Sequence, residues 1–176
     1  MAERASGQGA GIDAVELARN FYLDEGHPFG CAETAFIVLK SVYGLDDALD
    51  PAPAVALNGG VAWSGGLCGA ITGAAMAVGM LAEQRIDDHA AAKRVARELI
   101  ADTLEAFREE HEAVDCRDLI GYDLRAPGGH DAFIASGAWR EGCLRQVEFV
   151  VGRLARLADD DAWDDAVWAV EEQPPD

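Results

Sequence analysis

Ser64-Gly65-Gly66-Leu67-Cys68-Gly69-Ala70-Ile71-Thr72-Gly73-Ala74-Ala75-Met76-Ala77-Val78-Gly79-Met80-Leu81 lies inside a run, Pro51 to Ala82, that carries no charged residue. Gly69, Gly73 and Ala77 recur every four positions, and so do Ala70 and Ala74. That period predicts a helix from Cys68 to about Leu81 whose small face lets another helix approach backbone to backbone. The run is long enough to suggest a membrane span. Yet it is built of Gly and Ala, with few Leu or Ile, and holds Pro53, Asn58 and several glycines. Its transfer energy would be small, so a helix buried in a soluble core is expected, with no membrane partner.

Helical periodicity continues on both sides. Asp13-Ala-Val-Glu16 forms a capping box for a helix over about 13–24. Gly26-His27-Pro28-Phe29-Gly30 reads as a turn. Cys31 to Tyr43 reads as a helix closed by Gly44, and Ala54 to Leu57 as a short one ending at Asn58-Gly59-Gly60. Asp87 is the expected cap of a helix over about 88–113, with Val95, Leu99, Ile100, Thr103, Leu104 and Phe107 as its apolar stripe. Cys116 to Gly121 reads as a turn or short helix. Tyr122 to Gly137 reads as irregular, broken by Pro127-Gly128-Gly129. A last core helix is expected over about 139–158, followed by an acidic segment in which Trp163, Val167 and Trp168 could form a terminal helix. No stretch alternates with period two. The expectation is an all-α, single-domain bundle of about six helices. It divides into a flexible lead over 1–11, a four-cysteine helical domain over 12–158 and an acidic tail over 159–176.

Among 176 residues, half are hydrophobic and the net charge is −18. Such a field repels nucleic acid and anionic membrane surfaces, so neither is an expected partner. The N-terminal segment has no apolar core of a signal peptide, which points to a cytoplasmic protein. In a reducing compartment, four cysteines lean toward metal binding or redox chemistry rather than structural disulfides.

Those cysteines are Cys31, Cys68, Cys116 and Cys143. Cys31 and Cys68 stand at glycine-loosened loop-to-helix junctions, where a helix N-terminus favours the thiolate, so they are the candidate catalytic thiols. Asp115 beside Cys116 is expected to raise that thiol's pKa, making it the poorer nucleophile. Four thiolates suit a [2Fe–2S] or [4Fe–4S] cluster, and equally a structural zinc. A Cys31–Cys68 dithiol cycling through a disulfide is a further option, and four inert thiols are the plainest one. Closely spaced ferredoxin-like or zinc-finger-like pairs are missing. His27 and His130 are candidates to join the site, although turn roles account for both. His89 and His111 are expected on the surface of their helix. Trp63 and Trp139 could shield a cluster from water, or simply pack in the core. No Ser-His-Asp order, P-loop or dinucleotide fingerprint supports a hydrolase or nucleotide enzyme.

Cys31-Ala32-Glu33, Gly65-Gly66-Leu67-Cys68-Gly69-Ala70-Ile71-Thr72-Gly73, Cys116-Arg117-Asp118-Leu119 and Cys143 together resemble the C-GCAxxG-C-C family of small redox-active proteins. The resemblance covers about residues 12–158. It departs in one respect: the central motif reads Cys-Gly-Ala, whereas the Gly-Cys-Ala order occurs at Cys31. A similar module accompanies c-type haem in split-Soret cytochromes, where an iron–sulfur centre has been proposed. This chain has no Cys-x-x-Cys-His, so haem attachment is not expected. The resemblance therefore implies electron transfer at Cys31, Cys68, Cys116 and Cys143, with an iron–sulfur cluster as first cofactor and zinc or none as alternatives. It leaves the redox partner unidentified and is compatible with a homo-oligomer.

Overall fold

The computed structural model describes residues 13–25 and 29–172. Within them the fold is all-α, with eight α-helices and no strand. The helices are α1 (Ala14–Leu23), α2 (Cys31–Tyr43), α3 (Gly69–Arg85), α4 (His89–His111), α5 (Cys116–Ile120), α6 (Gly129–Ser136), α7 (Leu144–Leu154) and α8 (Asp160–Glu171). None of the described helices is long and apolar enough to cross a membrane. The segment Gly26-His27-Pro28, expected to form part of a turn and carrying the candidate ligand His27, lies outside the described residues.

Local signals explain most boundaries. Asp13 caps α1 by accepting from the Val15 and Glu16 amides. Gly44, at φ +66°, ends α2 in the left-handed conformation that glycine tolerates best. α4 starts at a different residue from the one expected: Asp88, not Asp87, accepts from the Ala91 amide. Two adjacent aspartates are equally good caps, and only the phase of the helix selects between them. The stretch expected to be irregular after Tyr122 contains α6, because Gly128 and Gly137, both at positive φ, bracket a helix rather than prevent one. A π-helical turn, Trp139–Cys143, leads into α7, and a 3₁₀ turn, Ala155–Ala158, follows it. The terminal segment folds into α8, which buries Trp163 and Val170.

Helix α2 runs through the middle of the bundle, with Ala32, Ala35, Phe36, Ile37, Val38 and Leu39 all essentially inaccessible. Even Lys40 is buried, its ammonium donating to the Asp47 carbonyl at 2.7 Å and lying over the Phe36 ring. α3 packs against it through the predicted small face, and α1 and α7 cover the other sides. A Cβ on Gly73 would stand 2.1 Å from the Ala32 carbonyl oxygen, a backbone atom that cannot step aside. Gly79, on the same helix, has nothing within 4 Å of its Cβ direction.

These two glycines give opposite expectations. Gly73→Ala should destabilise the fold by about 1–3 kcal/mol through overpacking. Gly79→Ala should stabilise it by about 0.5–1 kcal/mol through helix propensity. Urea unfolding of both variants checks the pair, and equal effects would contradict the backbone contact at Gly73.

Candidate functional site

Three of the four cysteines stand where helices begin, and the fourth where a helix changes register. Cys31 is the first residue of α2, Cys68 is the N-cap of α3 and Cys116 is the first residue of α5. Cys143 closes the π-turn ahead of α7. The extra residue of a π-turn rotates what precedes it, a device common at functional positions.

Backbone pairing brings Cys68 and Cys116 together. Leu67 and Asp115 form an isolated antiparallel bridge. The Cys68 amide donates to the Val114 carbonyl at 2.8 Å, and the Cys116 amide to the Gly66 carbonyl at 2.7 Å. The α2–α3 contact brings in Cys31, because a Cβ on Gly69 would lie 2.5 Å from the Cys31 sulfur. Glycine at 69 is therefore what leaves room for that sulfur beside Cys68. Every pair among the four thiols is close enough to disfavour ionisation of at least one member. The structure thus gathers all four into one neighbourhood, as free thiols.

Cys31, Cys116 and Cys143 line a cavity of about 520 Å³, with Cys68 buried behind it. Tyr22, Phe29, Trp63, Phe133 and Trp139 supply its aromatic wall. Trp63 stacks on His130 at 4.5 Å between ring centroids and 15° between planes. Both tryptophans and His130 thus border the cavity. His111, by contrast, is not a plain surface residue: its ring packs between Phe107 and Phe149 and its Nε2 is buried.

Burial decides the electrostatics of the thiols. Cys116 and Cys143 are each pushed up to about 12, by desolvation first and the Cys31 charge second. Cys116 is raised, the direction expected, but burial and the Cys31 sulfur rather than Asp115 are the cause. Cys68 is raised well above the ordinary thiol value by burial and then by Cys31. Cys31 is also raised by burial, although amide dipoles of Gly59, Ala32, Gly69 and its own residue pull the other way. The expectation that helix N-termini alone would yield ready thiolates at Cys31 and Cys68 is therefore corrected. Amide dipoles lower both thiols, and desolvation outweighs them.

Three further residues that the sequence did not single out touch the sulfurs: Asn58, Gln146 and Tyr22. Asn58 Oδ1 accepts from the Cys31 thiol at 3.8 Å and from the Ala32 amide at 3.0 Å. Its amide nitrogen donates to Glu33 Oε2 at 2.7 Å, and that oxygen also accepts from the Gly30 amide at 2.9 Å. Gln146 Oε1 accepts from the Cys68 thiol at 3.6 Å. The Tyr22 hydroxyl lies against Cys143 and favours its ionised form. The loop holding Asn58 is wound left-handed from Gly59 to Trp63, including Val61, Ala62 and Trp63 at φ between 51° and 62°. Such a turn costs about 1–2 kcal/mol per non-glycine residue. Arg125 holds it by donating twice to the Ala62 carbonyl, at 2.9 and 3.1 Å.

Among the described residues, no three His, Cys, Asp or Glu side chains are close enough together to share a single metal ion.

The raised thiols fix the sign of the pH dependence. The unfolded chain releases its thiol protons near the ordinary value of 9.0, whereas folded Cys116 and Cys143 keep theirs to about 12. Stability of the metal-free protein should therefore be intact below pH 9.0 and fall as pH rises toward 12, with at least two protons released on unfolding. Urea unfolding across that range measures the slope. The Cys116→Ser/Cys143→Ser double variant should flatten it, and an unchanged slope would contradict the assignment.

The family model described as "Putative redox-active protein (C_GCAxxG_C_C)" matches residues 29–157, a span that begins just before Cys31 and ends beyond Cys143. Comparison with curated proteins and with solved structures gave no match. That span contains all four cysteines, the Gly69 and Gly73 contacts and the left-handed loop, and the chain belongs to this family of redox-active four-cysteine proteins.

Proposed function

We propose that Cys31, Cys68, Cys116 and Cys143 together hold an iron–sulfur cluster and that the protein transfers electrons to or from a redox partner. One observation carries this reading: four thiols from four separate elements gather in one neighbourhood, and three of them line one aromatic cavity. Neutral thiols with raised pKa values are poor nucleophiles near neutral pH, which weighs against unassisted disulfide exchange. A bound iron centre would supply the positive charge that offsets four thiolates in a desolvated place, and a one-electron couple.

Single-ion and cluster chemistry make different demands on spacing. A tetrahedral zinc with Zn–S bonds of about 2.3 Å would draw its sulfurs to about 3.8 Å from one another. A cluster spreads its ligands over several metal ions and so tolerates wider sulfur spacing. The chain's own groups suit such a centre. Amides of Gly59, Gly69 and Ala32 aim at the Cys31 sulfur and that of Ala70 at Cys68, and amide–sulfur interactions tune cluster potentials. The aromatic wall restricts water, which also sets the potential.

A second reading rests on the closeness of Cys31 to Cys68 across Gly69: the two would cycle between dithiol and disulfide without metal.

Anaerobic purification with iron and sulfide should give a brown protein whose iron and inorganic sulfide contents match a cluster. Single Cys→Ser variants at each of the four positions should lose most of the iron. A colourless protein that binds zinc stoichiometrically, or one whose thiol count changes reversibly with oxidant and no metal, would replace this reading.

A further inference from the structure

The cavity in front of the cysteines is larger and more aromatic than four thiols require. At about 520 Å³ it falls within the roughly 300–1,000 Å³ typical of small-molecule pockets. Six rings face it: Tyr22, Phe29, Trp63, His130, Phe133 and Trp139. The Trp63–His130 pair at its edge already shows near-parallel stacking between the left-handed loop and α6. Trp63 is 44 % exposed and is held there by the left-handed turn, an arrangement that core packing alone does not reward.

Charge narrows the class of molecule further. Glu25 and Glu33 lie on the cavity wall, and among its described lining residues there is no Lys or Arg. The whole chain adds a net charge of −18. Carboxylate, sulfonate or phosphate groups would be repelled at close range and would find no bidentate Arg partner among the described lining residues.

We propose that this cavity binds a neutral, flat, mainly apolar ring compound, seated against Trp63 and in front of Cys31. The reading rests on the redox role proposed above, because it makes the ring the small molecule that the cysteine site meets. Nucleotide cofactors and other phosphate-bearing carriers are disfavoured by the same wall. Polar groups of the ligand would meet Asn58, Glu33 and the Tyr22 hydroxyl, which border the cavity beside the sulfurs.

Calorimetric titration of the anaerobically purified protein with 2-naphthol and with 2-naphthalenesulfonate tests the proposal. The two probes share a ring system and differ in charge. Naphthol should bind at least about tenfold more tightly than the sulfonate, equivalent to about 1.4 kcal/mol. Trp63→Ala should weaken naphthol about tenfold while circular dichroism stays native. Ile134→Lys, at a wall position 46 % exposed, should bring the sulfonate to within about threefold of naphthol. Equal binding of both probes, no naphthol binding, or indifference to both substitutions would overturn the inference. So would naphthol binding that disappears on iron loading, because the cavity would then be the metal's own space. Iron content and visible absorption of the same samples keep the two proposals apart. An iron-loaded brown protein that ignores naphthol sinks only the ring site, and a colourless protein that binds it sinks only the cluster.

Discussion

At Gly69 and Gly73 the backbones of α2 and α3 come so close that a single methyl group would collide, with the Cys31 sulfur in one case and the Ala32 carbonyl in the other. Much of the site depends on that approach. It presses α2, the most deeply buried helix, against α3 and so places the first residue of one helix beside the N-cap of the other. Cys31 and Cys68, far apart in sequence, become neighbours without any local motif. The Leu67–Asp115 bridge then ties Cys116 to the same point, and the π-turn delivers Cys143.

The electrostatic consequence runs against intuition about helix N-termini. Amide dipoles at α2 and α3 favour thiolates, yet desolvation raises every one of the four thiols. Each charged sulfur would also disfavour the next. A site of this kind is reluctant to ionise by itself and becomes stable as thiolates only when positive charge enters it. Asn58, held by Glu33, and Gln146 offer acceptors to thiol protons, consistent with sulfurs that are neutral while metal-free.

Much of this was legible in the sequence for identifiable reasons. The four-residue spacing of Gly69, Gly73 and Ala77 announced close packing, and Asp13, Gly30 and Gly44 marked helix ends through ordinary capping chemistry. Other features left no local signal. Asp87 and Asp88 are interchangeable as caps on paper. The Pro127-Gly128-Gly129 triplet reads as a breaker, yet it starts a helix. Val61, Ala62 and Trp63 are side chains that normally avoid positive φ, so nothing in their identity foretells a left-handed turn; Arg125, distant in sequence, holds it. Tyr22, Asn58 and Gln146 reach the sulfurs only through tertiary packing, and periodicity assigned them no role.

Iron X-ray absorption on the anaerobically purified protein addresses the central claim most directly, because it reads the atoms around the metal rather than its consequences. A shell of sulfur alone, with a second scatterer assignable to neighbouring iron, is the result this account predicts. Nitrogen or oxygen in the first shell, or iron without an iron neighbour, would contradict a cluster held by Cys31, Cys68, Cys116 and Cys143.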